Sequence, residues 1–223
     1  MKTNYVVKHF VGTFLFFTIL FISAGRIDYW QGLVYVAVGV IMSVLNYTVF
    51  SIDQELLNER SKPGENTKQW DKTLLGLSFL VTLSMYVTAG MDTGRYHWSP
   101  DFHWSLTVLG IIMTIKGQLL FLIAQKQNKF FSSTVRIQKD REHTVCDTGL
   151  YSIVRHPAYL GMIIQSLGFP LLFGSLWSII PISLSILLIL IRTSLEDKTL
   201  KNELKGYREY SGKTRYKLIP YVW

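Results

Sequence analysis

Residues 159–191 read YLGMIIQSLGFPLLF, then a lone glycine, Gly174, then SLWSIIPISLSILLILI. No charged side chain occurs in this stretch, and Pro170 and Pro181 stand on either side of the glycine. One residue is too short a connection for anything but a reversal. The stretch therefore predicts a tight hairpin of two apolar helices, whose arms need not both cross a membrane fully. Four more stretches of the same kind precede it, at Phe10–Ala24, Gly32–Phe50, Leu74–Met91 and Trp104–Ala124. All six together hold one charge, Lys116, although Asp, Glu, Lys and Arg make up 17% of the 223 residues. A soluble domain mixes charged and apolar residues at helix or strand period. Segregation into blocks approaching ~18 residues is instead the pattern of membrane-spanning helices. The expectation is an all-α polytopic membrane protein with about six apolar helices, forming a single domain over residues 1–223.

The loops set an orientation. If every apolar stretch crosses, 20 Lys and Arg residues fall on one side of the membrane and two on the other. Basic loops stay inside, so both termini and the two long loops, 51–73 and 125–158, are expected on the cytoplasmic side. A net charge of +8 then belongs to a surface facing anionic lipid, and no nucleic-acid partner is needed to explain it. Lys2 and Lys8 before an apolar run ending in Ser23-Ala24-Gly25 have the outline of a signal peptide, but a first membrane helix is the preferred reading, since the charge alternation already places Gly25 outside. The single cysteine, Cys146, excludes an internal disulfide and a Cys-rich metal centre. Nucleotide-binding and hydrolase signatures such as G-x-G-x-x-G, Walker A, H-E-x-x-H and G-x-S-x-G are absent. Beyond Arg192, Leu195, Leu200, Leu204 and Tyr207 recur at roughly helical spacing among Lys and Glu. This predicts an amphipathic helix on the cytoplasmic face that stops near Gly206.

Chemistry concentrates just before the hairpin, in Gly149-Leu-Tyr151-Ser-Ile-Val-Arg155-His156-Pro157-Ala-Tyr159-Leu-Gly161. Gly149 supplies a turn. His156 is pushed out of the helical region by the proline that follows it, and Pro157 suits the first turn of a helix. Arg155, His156 and Tyr159 are thus gathered at a helix N-terminus, where free N–H groups favour anions. Gly161, one turn in, leaves room for a ligand or a neighbouring helix. Arg192 and Glu196 lie four residues apart, on one helical face, where the last apolar stretch ends. An Arg fork there suits a carboxylate or phosphate, or else the two form an ordinary ion pair.

The run from Gly149 to Gly161, with Arg192-Thr-Ser-Leu-Glu196-Asp197, Gly206-Tyr207-x-x-Tyr210 and Pro220, resembles the isoprenylcysteine carboxyl methyltransferase family. The likeness is sharp over His143–Trp223, and Phe130-Phe131-Ser-Ser-Thr-Val-Arg136-Ile-Gln looks like bacterial members of the broad family. Two positions depart from the pattern. Many relatives have Glu-Glu where this chain has Glu196-Asp197, and an aromatic residue where it has Lys205. The resemblance implies an S-adenosylmethionine site within residues 125–223, on the cytoplasmic face of a bacterial inner membrane. Tyr151, Arg155, His156, Pro157, Tyr159, Gly161, Glu196 and Tyr210 match its cofactor-binding positions, with Arg192 and Glu196 nearest the chemistry and no metal. The chain would then methylate a carboxylate, thiol or amine of a small or lipid-borne acceptor entering from the bilayer. An NADPH-dependent membrane reductase of the sterol-reductase type and a non-catalytic scaffold are the alternatives.

Other residues read more quietly. Lys116, with Gln118 beside it, either takes part in function or snorkels to the nearer interface, ~12 Å away by helix rise. Glu59, Arg60, Trp70 and Asp71 read as a solvated loop with an interfacial Trp, or as a flap closing over the acceptor. His9, His97 and His103 read as interfacial.

Overall fold

A computed structural model describes residues 2–50, 56, 59, 60 and 66–223, with the side chains of 2–6, 8 and 9 excepted. Its elements are helices: α1 (Lys2–Ala24), α2 (Trp30–Thr48), α3 (Gln69–Ala89), α4 (Trp104–Gln127), α5 (Pro157–Phe173), α6 (Ile179–Glu203) and α7 (Tyr207–Lys213). A π-helical turn, Gly90–Tyr96, extends α3, and two single 3₁₀ turns, Lys139–Arg141 and Gly149–Ser152, lie between α4 and α5. Among the described residues there is no strand. Four segments are long and apolar enough to cross a membrane: Trp30–Thr48, Gln69–Tyr96, Trp104–Gln127 and Ile179–Glu203. Phe10–Ala24 and Pro157–Phe173 are shorter apolar helices. The six apolar helices of the sequence are therefore all present. Their outward faces carry exposed side chains such as Phe14, Ile22, Val44, Leu80, Ile112 and Leu187, which suits hydrocarbon surroundings.

The hairpin forms as expected. Gly174 closes it in the left-handed region at φ 67°, a conformation that costs glycine little. Pro157 opens α5 at its first position and Pro181 sits in the first turn of α6, where a missing N–H is harmless. The tightest helix pairing, however, joins α4 to α5. Gly110 and Gly117 on α4 meet Gly168 and Gly161 on α5, and backbone touches backbone. A Cβ on Gly117 would stand 2.5 Å from the Gly161 carbonyl oxygen, and one on Gly161 would stand 2.6 Å from that of Gly117. Small residues let membrane helices approach this closely, where packing has to replace the missing hydrophobic drive.

One expectation fails. The segment after Arg192 is not a separate surface helix, because α6 runs unbroken from Ile179 to Glu203. Its amphipathic face is used internally: Leu204 packs with Tyr207 and Tyr210, and Leu200, Ile137 and Val145 lie against them. The apolar spacing was real, but it served a protein contact rather than the lipid surface. The predicted stop is kept, since Gly206 turns at φ 82° and α7 follows.

The two ends of the bundle differ. At one end the links between α1 and α2, α3 and α4, and α5 and α6 come together. Fully buried Asp92 accepts from the Ser99 N–H at 2.7 Å, the Ser99 hydroxyl at 2.7 Å and the Ser175 hydroxyl at 2.6 Å, and Arg95 donates to the Ile22 carbonyl at 2.7 Å. The basic segments meet at the other end, where Lys126 reaches the Val49 carbonyl and Lys68 pairs with Glu203. Lys116 is exposed on α4 between the two ends, away from that cluster.

Candidate functional site

The site grows from the turn that delivers α5. Gly149 reverses the chain at φ 58°, and the next N–H, of Leu150, donates to the Gln127 side chain at 2.9 Å. Tyr151 is buried, donating to the Ala124 carbonyl at 3.3 Å while its own carbonyl accepts from the Tyr210 hydroxyl at 2.6 Å. The C-terminal segment then pairs with the chain just before the helix. The Arg155 N–H donates to the Tyr216 carbonyl and the His156 N–H to that of Lys217, each at 2.9 Å. His156 has φ −129° and ψ 62°, outside the helical region as the following proline requires.

Asp197 is the hub beneath this turn. It is 3% exposed, and its carboxylate takes Arg155 Nε at 2.7 Å, Arg155 Nη2 at 3.3 Å, the Tyr207 hydroxyl at 3.1 Å and Lys201 Nζ at 3.0 Å. Arg155 Nη1 adds bonds to the Thr214 and Arg215 carbonyls at 2.8 and 2.7 Å. Arg155 therefore ties the start of α5, α6 and the C-terminal segment together with all three nitrogens hydrogen-bonded, which offsets the cost of burying a guanidinium. His156 Nε2 lies 3.6 Å from the same carboxylate, beyond hydrogen-bond length, and is buried without a hydrogen-bond partner among the described residues.

Arg192 and Glu196 share one face of α6 without pairing with each other. Arg192 gives Nε and Nη2 to fully buried Asp71 of α3 at 2.8 and 3.3 Å, and Nη2 also donates to the Ser133 carbonyl at 3.0 Å. The second Asp71 oxygen takes the Val135 N–H at 2.8 Å. Glu196 accepts from the Tyr159 hydroxyl at 2.5 Å, and the Arg192 guanidinium lies 5.6 Å from the Tyr159 ring centre. Arg192 thus spends one edge on Asp71 and keeps Nη1 unengaged among the described residues. It offers two donors on one nitrogen, not the open two-nitrogen fork expected from the spacing. The long-loop residues are not merely solvated either. Asp71 is 0% exposed, and Glu59 receives Arg136 Nη2 at 2.6 Å and Nε at 2.8 Å. Carboxylates buried against guanidinium groups hold the 128–138 segment onto α3 and α6.

Beside them lies one cavity of about 260 Å³, which Asp71, Asp197 and Glu59 brace without lining. Its wall includes Tyr151, Arg155, His156, Tyr159, Arg192 and Glu196, closed on the apolar side by Phe121, Phe131, Ala158 and Met162. Pro157, Gly161 and Tyr210 do not line it. Pro157 is fully buried at the start of α5, Gly161 faces α4, and Tyr210 braces Tyr151 from below. His143 and Arg136, which the sequence did not single out as site residues, do line it. His143 stacks on Phe130 with ring centres 4.5 Å apart, and its pKa is lowered to about 4, by burial first and then by the nearby Arg141 and Arg136 charges. Burial also raises the Tyr151 and Tyr207 hydroxyls, so both stay protonated.

The geometry defines a helical membrane protein with a polar, half-buried cavity at the basic end of its bundle. Residues 108–202 match the isoprenylcysteine carboxyl methyltransferase (ICMT) family. A protein-S-isoprenylcysteine O-methyltransferase of Xenopus laevis is 29% identical over 130 residues, 58% of this chain and 40% of the relative. One of Saccharomyces cerevisiae is 34% identical over 115 residues, 48% of this chain and 46% of the relative. The chain thus matches less than half the length of these curated relatives. The solved structure of a eukaryotic intramembrane Ras methyltransferase, ICMT, superposes with a TM-score of 0.57 over 99% of this chain and 86% of its own, at 17% identity, and shares the fold. By motif, sequence match and fold together, the chain is similar to the ICMT family over residues 108–202, a little under half of its length.

Proposed function

We propose that the protein transfers a methyl group from S-adenosylmethionine to a polar group of a small or lipid-borne acceptor at the basic, cytoplasmic face of the membrane. One observation carries the reading: Glu196, Arg192, Tyr159 and His156 face a single half-buried cavity where the charged end of α6 meets the apolar bundle. Among carboxylate, thiol and amine acceptors the carboxylate is best supported, since the relatives are named as O-methyltransferases of isoprenylcysteine.

The residues fit the cofactor by their chemistry. S-adenosylmethionine supplies, when bound, an electrophilic methyl group on a cationic sulfur. Glu196, held by the Tyr159 hydroxyl, offers the opposing negative charge, and the face of Tyr207 can attract a cation by ~0.5–2 kcal/mol. His156 Nε2, buried and unbonded, is a directed polar contact waiting for a partner. Arg192 Nη1 suits an anionic acceptor and brings it beside Glu196, while Asp71 fixes the guanidinium plane. Phe121, Phe131 and Met162 keep water from the acceptor. Displacement at a methyl carbon needs alignment and desolvation above all; the fixed polar side chains supply the first and the apolar side of the wall contributes to the second.

Calorimetric titration of the detergent-purified protein with S-adenosylmethionine, S-adenosylhomocysteine and NADPH tests the reading. Binding of the first two is expected. Binding of NADPH alone would replace it with the reductase alternative.

A further inference from the structure

A second cavity, of about 440 Å³, lies deeper in the bundle between α1, α2, α3, α4 and α5. Arg60, whose guanidinium lies 5.4 Å from the Phe131 ring centre, and Phe121 line both cavities, so the two share a wall. The deeper one sits among apolar helices, yet four amide side chains, Asn46, Gln118, Gln125 and Gln165, line it. Tyr35 and Tyr86 add hydroxyls, already bonded to each other at 3.0 Å. Gln125 is 2% exposed and its Nε2 has no hydrogen-bond partner among the described residues, and Asn46 Oδ1 is likewise buried and unbonded.

Amides are expensive in such surroundings unless something answers them. Water can answer them in the free protein, but a hydrocarbon chain entering the cavity would displace that water and could not replace its hydrogen bonds. An oxygenated group can, because a carbonyl or hydroxyl oxygen accepts from Gln125 and a hydroxyl donates to Asn46. If either amide is turned by 180°, donor and acceptor exchange and the demand for a polar partner stays. Resting on the methyl-transfer reading of the first cavity, we infer that the second cavity holds the body of the acceptor, and that this body carries hydroxyl or carbonyl oxygens. An all-hydrocarbon chain is not its best occupant. The acceptor's reacting group then projects past Phe121 and Arg60 towards Arg192.

The test compares two probes on the full chain in lipid nanodiscs. One is N-acetyl-S-farnesylcysteine, and the other is the same molecule with two hydroxyl groups on the farnesyl chain. Affinity is read by equilibrium displacement of a fluorescent analogue in the absence of S-adenosylmethionine, so the outcome does not depend on turnover. The dihydroxylated probe is expected to bind about tenfold more tightly or better. Gln125→Leu with Asn46→Leu is expected to abolish that preference. If the double variant does not fold, the wild-type ratio alone decides. Equal binding, or tighter binding of the hydrocarbon probe to the wild type, overturns the inference. Failure of S-adenosylmethionine to bind in the calorimetric experiment would overturn the methyl-transfer reading, a separate result.

Discussion

Asp197 shows how a residue that braces the candidate site hides in a sequence. In the sequence it stands out only as a departure from the Glu-Glu of many relatives, yet it is the hub that Arg155, Tyr207 and Lys201 converge on. Its partners come to it, from the helix entry 42 residues earlier and the tail beyond α6. Asp71 was harder still to read, because a lone carboxylate in a charged loop carries no periodic signal and its partner Arg192 lies 121 positions away. The residues that were legible, His156, Tyr159, Arg192 and Glu196, are those the motif fixes within a short span. His156→Ala is expected to weaken S-adenosylmethionine binding at least about tenfold, ~1.4 kcal/mol, by calorimetry. Pro157→Ala is expected to do so less, since Pro157 is buried away from the cavity and acts through the conformation it imposes on His156. Unchanged affinity in folded His156→Ala would remove the histidine from the site. Arg192→Lys keeps the charge and loses the planar edge that grips Asp71 and the Nη1 donors beside it. Turnover is expected to fall at least about tenfold with cofactor affinity nearly constant. A fully active lysine variant would take Arg192 out of the chemistry.

Among the elements, α5 serves two masters, with its first residues shaping the cavity and its glycine face lying on α4. Sequence spacing alone left Gly161 open to either use, and the partner glycines on α4 sit too far away in the chain to be matched by eye. Gly161→Ala separates the two. A Cβ meeting the Gly117 carbonyl oxygen at 2.6 Å forces the helices apart, at a cost of ~1–3 kcal/mol. A lower thermal midpoint with unchanged S-adenosylmethionine affinity in the folded fraction is the expected result. The 128–148 segment carries a different kind of sensitivity. Neutral His143 packs on Phe130 and lines the cavity, with a pKa near 4 in place of the ordinary 6.5. The unfolded chain takes up that proton first as pH falls. Stability from this group is therefore full above about pH 6.5 and is lost progressively down through pH 4. The midpoint of the wild type should drop across that window more steeply than that of His143→Gln, a comparison in which all other titrating groups cancel.

At the scale of the whole molecule the charge alternation and the fold agree on one division. The weakly charged links gather around Asp92, Ser99 and Ser175, whereas the basic segments gather around Asp71, Asp197 and their partners. This division was legible because membrane proteins write topology in composition, which needs no long-range pairing to read. What composition cannot encode is which helices touch, so the close α4 to α5 seam and the continuous α6 emerge only in three dimensions. With the positive-inside rule, the division predicts an orientation that can be measured in cells. Cys146 lies on the basic side, half-buried, and Ser132 lies in the same segment as part of the cavity wall. Asp101 is exposed in the link before α4, at the opposite end. Ser61, in the first long loop, lies outside the described residues, so Ser132 is the reporter on the basic side. With Cys146 replaced by serine, Asp101→Cys should react with a membrane-impermeant maleimide added to intact cells, and Ser132→Cys should react only after the cells are opened. The positive-inside rule demands this order, because moving 20 basic residues outward to place two inward opposes the bias that orients membrane helices. Labelling of Ser132→Cys from outside, with Asp101→Cys protected, would invert the molecule and put the cavity on the face away from the cytoplasmic cofactor pool.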